Sequence, residues 1–268
     1  MEAIHDFATP IPLTAISELL GVPPPDRLGL VAWSHAIVKL FDRGYQPDEG
    51  EAAEAAMVEF TDYLRHLVGV RRSEPADDLI SALVEGQADD DGGLTDDELI
   101  ATCILVLNAG HEATVHAIGN GLLALVRHPE QHARLVADPG LAATAANELL
   151  RFDSPLQMFE RWVTEEVDWG GHRLAAGSKV GLLFGAANRD PARFQEPERL
   201  DLGREDNHHL AFGAGIHRCV GEQLALVELE EVWRVVATRF RRLRLLEEPR
   251  RRPSLVFRGL EDLKLEVA

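Results

Sequence analysis

Only two cysteines, Cys103 and Cys219, can offer this chain a thiolate, and their surroundings differ. Cys103 sits in an apolar run and reads as a small buried hydrophobe. Cys219 closes the loop Phe212-Gly213-Ala214-Gly215-Ile216-His217-Arg218 and stands, with Val220 and Gly221, at the start of a helix predicted to run from Gly221 to Arg239. Unpaired amides and the positive end of a helix dipole favour a thiolate there. Gly213, Gly215 and Gly221 carry no Cβ, so the backbone can bend around the sulfur and approach a flat cofactor closely, with Phe212 free to cover it. A second group of residues breaks a pattern. Apolar periodicity from Leu99 to Arg127 predicts a long helix without proline, yet Asn108, Gly110, His111, Glu112 and Thr114 occupy its middle, where a core helix carries aliphatics. Such a conflict between local sequence and burial marks a candidate site. Glu148 and Arg151 lie three apart on one helix face, a pair worth about a few tenths of a kcal/mol if it sits in solvent.

The elements that must position these groups are mostly helical, because apolar residues recur at three and four apart and strand-like runs are few and short. Leu13 to Leu20 predicts a short helix stopped by Gly21 and Pro23, and Arg27 to Leu40 and Glu51 to Val70 predict two longer ones. Gln87 to Gly93 reads as an acidic surface loop, followed by a capping box from Thr95 to Glu98 that opens the long helix. Pro129 to Ala137 and Leu141 to Phe152 predict two more helices. Glu165 to Leu174 and Lys179 to Leu183 predict a small antiparallel sheet, and Ala187 to Asn207 an irregular segment. The chain has 268 residues and a formal charge of -18, a sign that disfavours nucleic acid and anionic membrane surfaces. Its apolar stretches fall short of the roughly 20 residues needed to span a bilayer, and two cysteines are too few for a disulfide framework. A cytoplasmic, reducing location is the expectation.

The run from Phe212 to Gly221 resembles the ligand loop of the cytochrome P450 family, a match far more specific than a glycine-rich turn with a chance cysteine. The resemblance implies that Cys219 is the proximal ligand to the iron of haem b, that His217 hydrogen-bonds a haem propionate, and that Phe212 packs near the thiolate. Glu148-Leu149-Leu150-Arg151 is similar to the family's Glu-x-x-Arg element, whose third basic partner here would be Arg199 or His209. Arg161, which taken alone would be a solvated arginine, matches a strand arginine that pairs with a propionate. Ala109-Gly110-His111-Glu112-Ala113-Thr114 resembles the oxygen-binding element, in which Gly110 lets the helix distort and leaves room for dioxygen, and Glu112 belongs to a proton path. One departure stands out. An alcohol ordinarily follows the acid, and this chain has Ala113, with Thr114 one position on; a single step turns a side chain by about 100°, so Thr114 does not simply replace it. An ordered water or a substrate hydroxyl is the alternative donor.

The same resemblance implies a mainly α fold with a small β component, a single P450-like domain over residues 1–268, and a monooxygenase acting on dioxygen and a small organic, oxygenated secondary-metabolite substrate. Its pocket would draw on Leu105, Asn108 and Ala109, on Gln157, Met158 and Phe159, and on Leu255 and Val256. The two amides either recognise polar groups of a substrate or cap backbone groups. No flavin or nicotinamide segment is visible, so a separate ferredoxin and its reductase are the implied electron donors, with Arg218 as a docking charge and Arg250, Arg251 and Arg252 as a solvated face. Ile4 to Pro23 resembles a segment that ordinarily lies well inside the family domain. An N-terminal part is therefore expected to be absent, leaving apolar surface open. The competing reading is a non-catalytic or haem-deficient remnant that acts as a partner-binding helper.

Overall fold

Proline and glycine set the boundaries of the first helices in the computed structural model, which describes residues 1–41, 45–87 and 93–268. Helix α1 (Pro10–Leu20) starts on a proline, whose missing N–H costs nothing in the first turn, and ends at Gly21. Gly21 takes φ +83°, and the next amide, of Val22, donates to the Ser17 carbonyl at 2.8 Å. α2 (Arg27–Val38) and α3 (Pro47–Ser73) follow, then α4 (Leu79–Gly86), capped by Asp78, which accepts from the Ser81 amide at 2.8 Å. The capping box before α5 (Asp96–Arg127) is present: the Thr95 amide donates to Glu98 Oε2 at 2.8 Å and the Glu98 amide to Thr95 Oγ1 at 3.3 Å. Of the loop expected at Gln87 to Gly93, residues 88–92 lie outside the described residues.

The chain divides into two compact units, one formed by His5–Val115 and the other by Met1–Ile4 together with His116–Ala268, so α5 contributes to both. In the first unit α1 to α4 and the start of α5 bury one core, with Leu30, Phe60, Leu64, Ile80, Leu99, Cys103 and Leu107 nearly inaccessible. Trp33 of α2 stacks on Phe60 of α3 with centroids 5.3 Å apart. Burial pushes the Cys103 thiol up to about 11, with Asp78 adding to the shift, as suits an unreactive core cysteine.

The second unit packs α6 (Pro129–Ala137), α7 (Ala142–Phe152) and α9 (Glu222–Arg239) around the end of α5, with a one-turn α8 (Phe184–Ala187) between. Trp233 of α9 is fully buried; its ring lies 2.4 Å from where a Cβ on Gly121 would stand, so α5 and α9 approach over a glycine. Among the described residues, six short strands form three separate antiparallel pairs: β1 (Phe159–Trp162) with β4 (Lys179–Leu182), β2 (Val167–Trp169) with β3 (His172–Leu174), and β5 (Leu243–Leu245) with β6 (Leu265–Val267).

This corrects the expected sheet. The segment Glu165 to Leu174 does not pair with Lys179 to Leu183 but folds on itself, because Gly170 and Gly171, with φ +57° and +80°, make a two-residue hairpin turn. Lys179–Leu182 instead pairs with Phe159–Trp162, setting Arg161 opposite Val180. Among the described residues, no helix is long and apolar enough to cross a membrane.

Candidate active site

The loop before α9 is built from turns. The Gly213 amide donates to Leu210 O at 2.9 Å, Gly215–His217 forms a single 3-10 turn, and the Cys219 amide donates to Phe212 O at 2.9 Å. Gly213 and Gly215 both take φ +68°, a backbone shape that a side chain would strain, which explains their type. The loop thereby holds Phe212 and Cys219 side by side. Cys219 is exposed, and so are Ile216 at 97% and Val220 at 99% on either side of it, an uncovered apolar rim around a thiol. Crowding behind the sulfur pushes the Cys219 thiol above its ordinary value; the Gly221 amide pulls the other way and the Glu222 carboxylate adds to the rise. Packing around the sulfur thus opposes the pull of the helix start, and a cation bound at the sulfur would favour the thiolate.

The Glu148 carboxylate organises the segment leading to that loop. It accepts from Arg151 Nε at 2.8 Å and Nη2 at 2.9 Å, from Arg204 Nε at 3.0 Å, from Asn207 Nδ2 at 3.1 Å and from the Asp201 amide at 2.9 Å. Both side chains of the Glu148–Arg151 pair have 0% exposure, so it is a buried hub and not a surface pair. Arg204, rather than Arg199 or His209, is its third basic partner. The Arg199 side chain is drawn outward by Glu196 at 3.1 Å and contributes only its carbonyl, which accepts from Arg151 at 3.2 Å. His209 is a neutral partner of other groups: the Ala211 amide donates to its Nδ1 at 3.2 Å, its Nε2 lies 3.3 Å from Asn147 Oδ1, and burial pushes its pKa down to about 4. Arg204 was missed because nothing in the local sequence separates it from Arg199.

Arg161 donates to the Glu160 carbonyl at 2.8 Å and lies over the Phe159 ring at 5.9 Å; among the described residues it forms no ion pair. Gln157 donates through Nε2 to Ser154 O at 2.7 Å, and its backbone amide donates to Val256 O at 2.9 Å, so this amide caps the backbone. Val256 is buried whereas Leu255 is 68% exposed; Phe159 is exposed, its ring 6.2 Å from Phe184, and Met158 packs over Gly181. Two basic groups differ from expectation. Arg218 is neutralised by Glu222 at 2.6 Å and 2.7 Å. Arg251, expected on a solvated face, is half-buried and donates to Asn120 Oδ1 at 2.7 Å and Asp153 Oδ2 at 2.8 Å, while Arg250 stays outside near Glu261.

In the first unit, Asn108, His111, Glu112 and Thr114 are all buried, whereas Leu105 is 63% exposed. Among the described residues, Asn108 Oδ1 has no hydrogen-bond partner, in contrast to Gln157. α5 runs through Ala109 and Gly110 without a break, so the helix distortion expected at Gly110 is not present; Ile16 Cδ1 lies 2.8 Å from where its Cβ would stand, and the glycine admits the α1 side chain. Glu112 Oε1 lies 3.0 Å from Nε2 of His35 on α2. His35 was missed from sequence; its one local signal is a polar ring between the buried Ser34 and Ile37.

The profile of the family described as Cytochrome P450 matches residues 34–138 and 141–257. The chain belongs to this family. It is 39% identical over 264 residues to the biotin biosynthesis cytochrome P450 of Bacillus subtilis (strain 168), covering 98% of this chain and 66% of that protein. It is 38% identical over 270 residues to the 6-deoxyerythronolide B hydroxylase of Saccharopolyspora erythraea, covering 100% of this chain and 66% of that protein. The crystal structure of P450BioI in complex with hexadec-9Z-enoic acid ligated acyl carrier protein superposes with a TM-score of 0.96 at 38% identity, covering 100% of this chain and 69% of that one. The chain thus spans just under two thirds of the length of those two curated relatives.

Members of the family bind haem b. The residues of the loop fit that group: an exposed thiol, glycine backbone that leaves space beside it, and an apolar rim at Ile216 and Val220 suited to a macrocycle. Arg161 and His217 are the donors suited to its carboxylates, the first without an ion pair among the described residues and the second exposed.

Proposed function

We propose that this chain carries the haem-binding and oxygen-handling part of a P450 monooxygenase that oxidises a small, oxygen-bearing organic molecule. The observation that carries the reading is the Cys219 loop, where a glycine-built turn presents one exposed thiol inside an apolar rim. Haem bound through a thiolate supplies the oxygen chemistry, since the sulfur pushes electron density toward iron and favours cleavage of the O–O bond. Cys219 would hold the iron, Arg161 and His217 the propionates, and Phe212, Gly213, Gly215 and Gly221 would shape the loop against the ring. Glu148, Arg151 and Arg204 position the segment that leads into it.

On α5, the small, exposed Ala109 would leave space at the oxygen side, while Gly110 receives the Ile16 side chain. Glu112 would hold the proton at its carboxylate, refilled from His35, whose side chain is 38% exposed and touches both solvent and the acid. With Ala113 unable to donate, the hydroxyl that orients this proton would come from water or from the substrate. Asn108, whose buried oxygen has no partner among the described residues, is suited to accept from a substrate hydroxyl. Within the second unit, Met158, Phe159, Leu255 and Val256 would supply apolar contact, with Gln157 bonded to the backbone of Ser154 and Val256. Electrons would come from a ferredoxin and its reductase in the cytoplasm, where Cys219 stays reduced.

A second reading, a helper that binds another protein, is favoured by the exposed Ile216 and Val220. The two separate on one experiment. Purified with haem, reduced and exposed to carbon monoxide, the chain is expected to give a red-shifted Soret band of thiolate type that Cys219→Ala abolishes. Absence of haem uptake by folded protein refutes the oxygenase reading and leaves the helper.

A further inference from the structure

We infer that His35, His111 and Glu112 form a binding site for a divalent transition-metal ion of the zinc class, distinct from the haem iron. The three residues come from two helices of one unit: His35 from α2, and the consecutive His111 and Glu112 from α5. One ligand atom from each lies within 4.8 Å of the other two. The His35 and His111 rings are 6.0 Å apart at their centroids, and His35 Nε2 is 3.0 Å from Glu112 Oε1. A tetrahedral ion with bonds of about 2.1 Å needs ligand atoms about 3.4 Å apart, so side-chain rotation of roughly 1 Å completes the set.

The donor chemistry selects the ion. Two imidazoles and one carboxylate are the ligand set of an open zinc site with a fourth position for water. Magnesium and calcium demand mostly oxygen ligands, which this cluster does not have. Burial supports the same reading: His111 and Glu112 are each 1% exposed, so the helix holds two ligands fixed, and the half-exposed His35 gives an ion a way in from solvent. Adjacent helix positions diverge by about 100°, so His111 and Glu112 leave α5 in different directions, and His35 on α2 lies near both.

If Glu112 handles protons as proposed above, occupancy has a consequence that rests on that reading. A carboxylate bound to zinc cannot exchange a proton with His35, so the ion would throttle turnover without touching the iron.

The test is isothermal titration of zinc chloride into the purified chain, with and without haem. One ion is expected to bind per chain, with protons released into the buffer. Loss of an outer partner alone weakens metal sites by about 10- to 100-fold, so His35→Ala and Glu112→Gln should each weaken binding at least that much. His66→Ala, an exposed histidine on α3, should leave it unchanged, and magnesium should not compete. His35→Gln, checked by circular dichroism, guards against misfolding of the alanine variant. No binding by the parent chain, or binding by both His35 variants as tight as the parent's, overturns the site. A chain that binds zinc but gives no thiolate band keeps the metal site and loses the oxygenase reading; the reverse result keeps the oxygenase and loses the site. In the haem-loaded chain, zinc should slow oxygen consumption and leave the carbon monoxide band in place, and an undiminished rate at saturation overturns the throttle.

Discussion

Replacing Glu148 by alanine separates a surface ion pair from a buried hub. Read from spacing alone, the Glu148–Arg151 pair would contribute about a few tenths of a kcal/mol. In the fold both side chains are inaccessible, and the carboxylate accepts five hydrogen bonds between 2.8 and 3.1 Å. Arg151 also donates to Asn188 O and Pro197 O, both at 2.9 Å, so it cannot turn to solvent when its partner is removed. Arg204 has 12% side-chain exposure and retains Gln195 O as an acceptor at 2.9 Å, so it can relax. One stranded guanidinium therefore sets the cost, about 3–5 kcal/mol for a buried pair broken on one side. At about 2–4 °C per kcal/mol for a chain of this size, Glu148→Ala should lower the melting temperature by about 6–20 °C. Circular dichroism melts at neutral pH measure it. The double replacement Glu148→Leu with Arg151→Leu should be less damaging than the sum of the two single losses, because no charge stays buried. A single-variant loss under about 1 kcal/mol, or a double variant that is fully additive, refutes the hub.

Three further outcomes are expected. Arg204→Ala should destabilise clearly more than Arg199→Ala in the same melts, since only Arg204 reaches the Glu148 carboxylate; equal effects would return Arg199 to contention. The neutral His209 should make the fold acid-sensitive. Its pKa falls from 6.5 to about 4, chiefly through burial, so the unfolded chain binds the proton first, and its contribution is complete above 6.5 and lost as pH falls toward 4. Urea midpoints across that range should slope by at most about 1.4 kcal/mol per pH unit, and His209→Asn should flatten the slope. Finally, with Ala113 in place of an alcohol, peroxide released per electron consumed should depend strongly on the substrate, and Ala113→Thr should weaken that dependence. Equal leakage from the parent chain with good and poor substrates would sink the idea.

What could be read from the sequence was what depends on neighbours along the chain. α6 begins and ends where Pro129 and Ala137 predict, and α5 starts at the Thr95–Glu98 box, because caps and periodicity are local. The Cys219 loop was legible for the same reason: its glycines, its thiol and the helix after it are contiguous. Strand pairing was not. The Gly170-Gly171 turn was available as a signal, but the choice of Phe159–Trp162 as partner for Lys179–Leu182 depends on which segments meet after folding.

The same limit divides the site residues. Arg199 and Arg204 stand five apart in one irregular segment, and the Glu196 carboxylate, by capturing the first, leaves the second to turn inward. Position in a motif could not decide between them, because the deciding energy is that of an acid outside the motif. Glu112 was legible as a charge misplaced in an apolar helix, but its partner His35 lies two helices and a chain reversal away. An isolated buried acid predicts that some partner exists, since an uncompensated charge in a core is too costly to keep, and only the packing of α2 on the first unit supplies its identity. For this chain, then, the chemistry that can be read in advance is that of the groups which must be adjacent to act; the groups that tune them, Arg204 and His35, are fixed by packing.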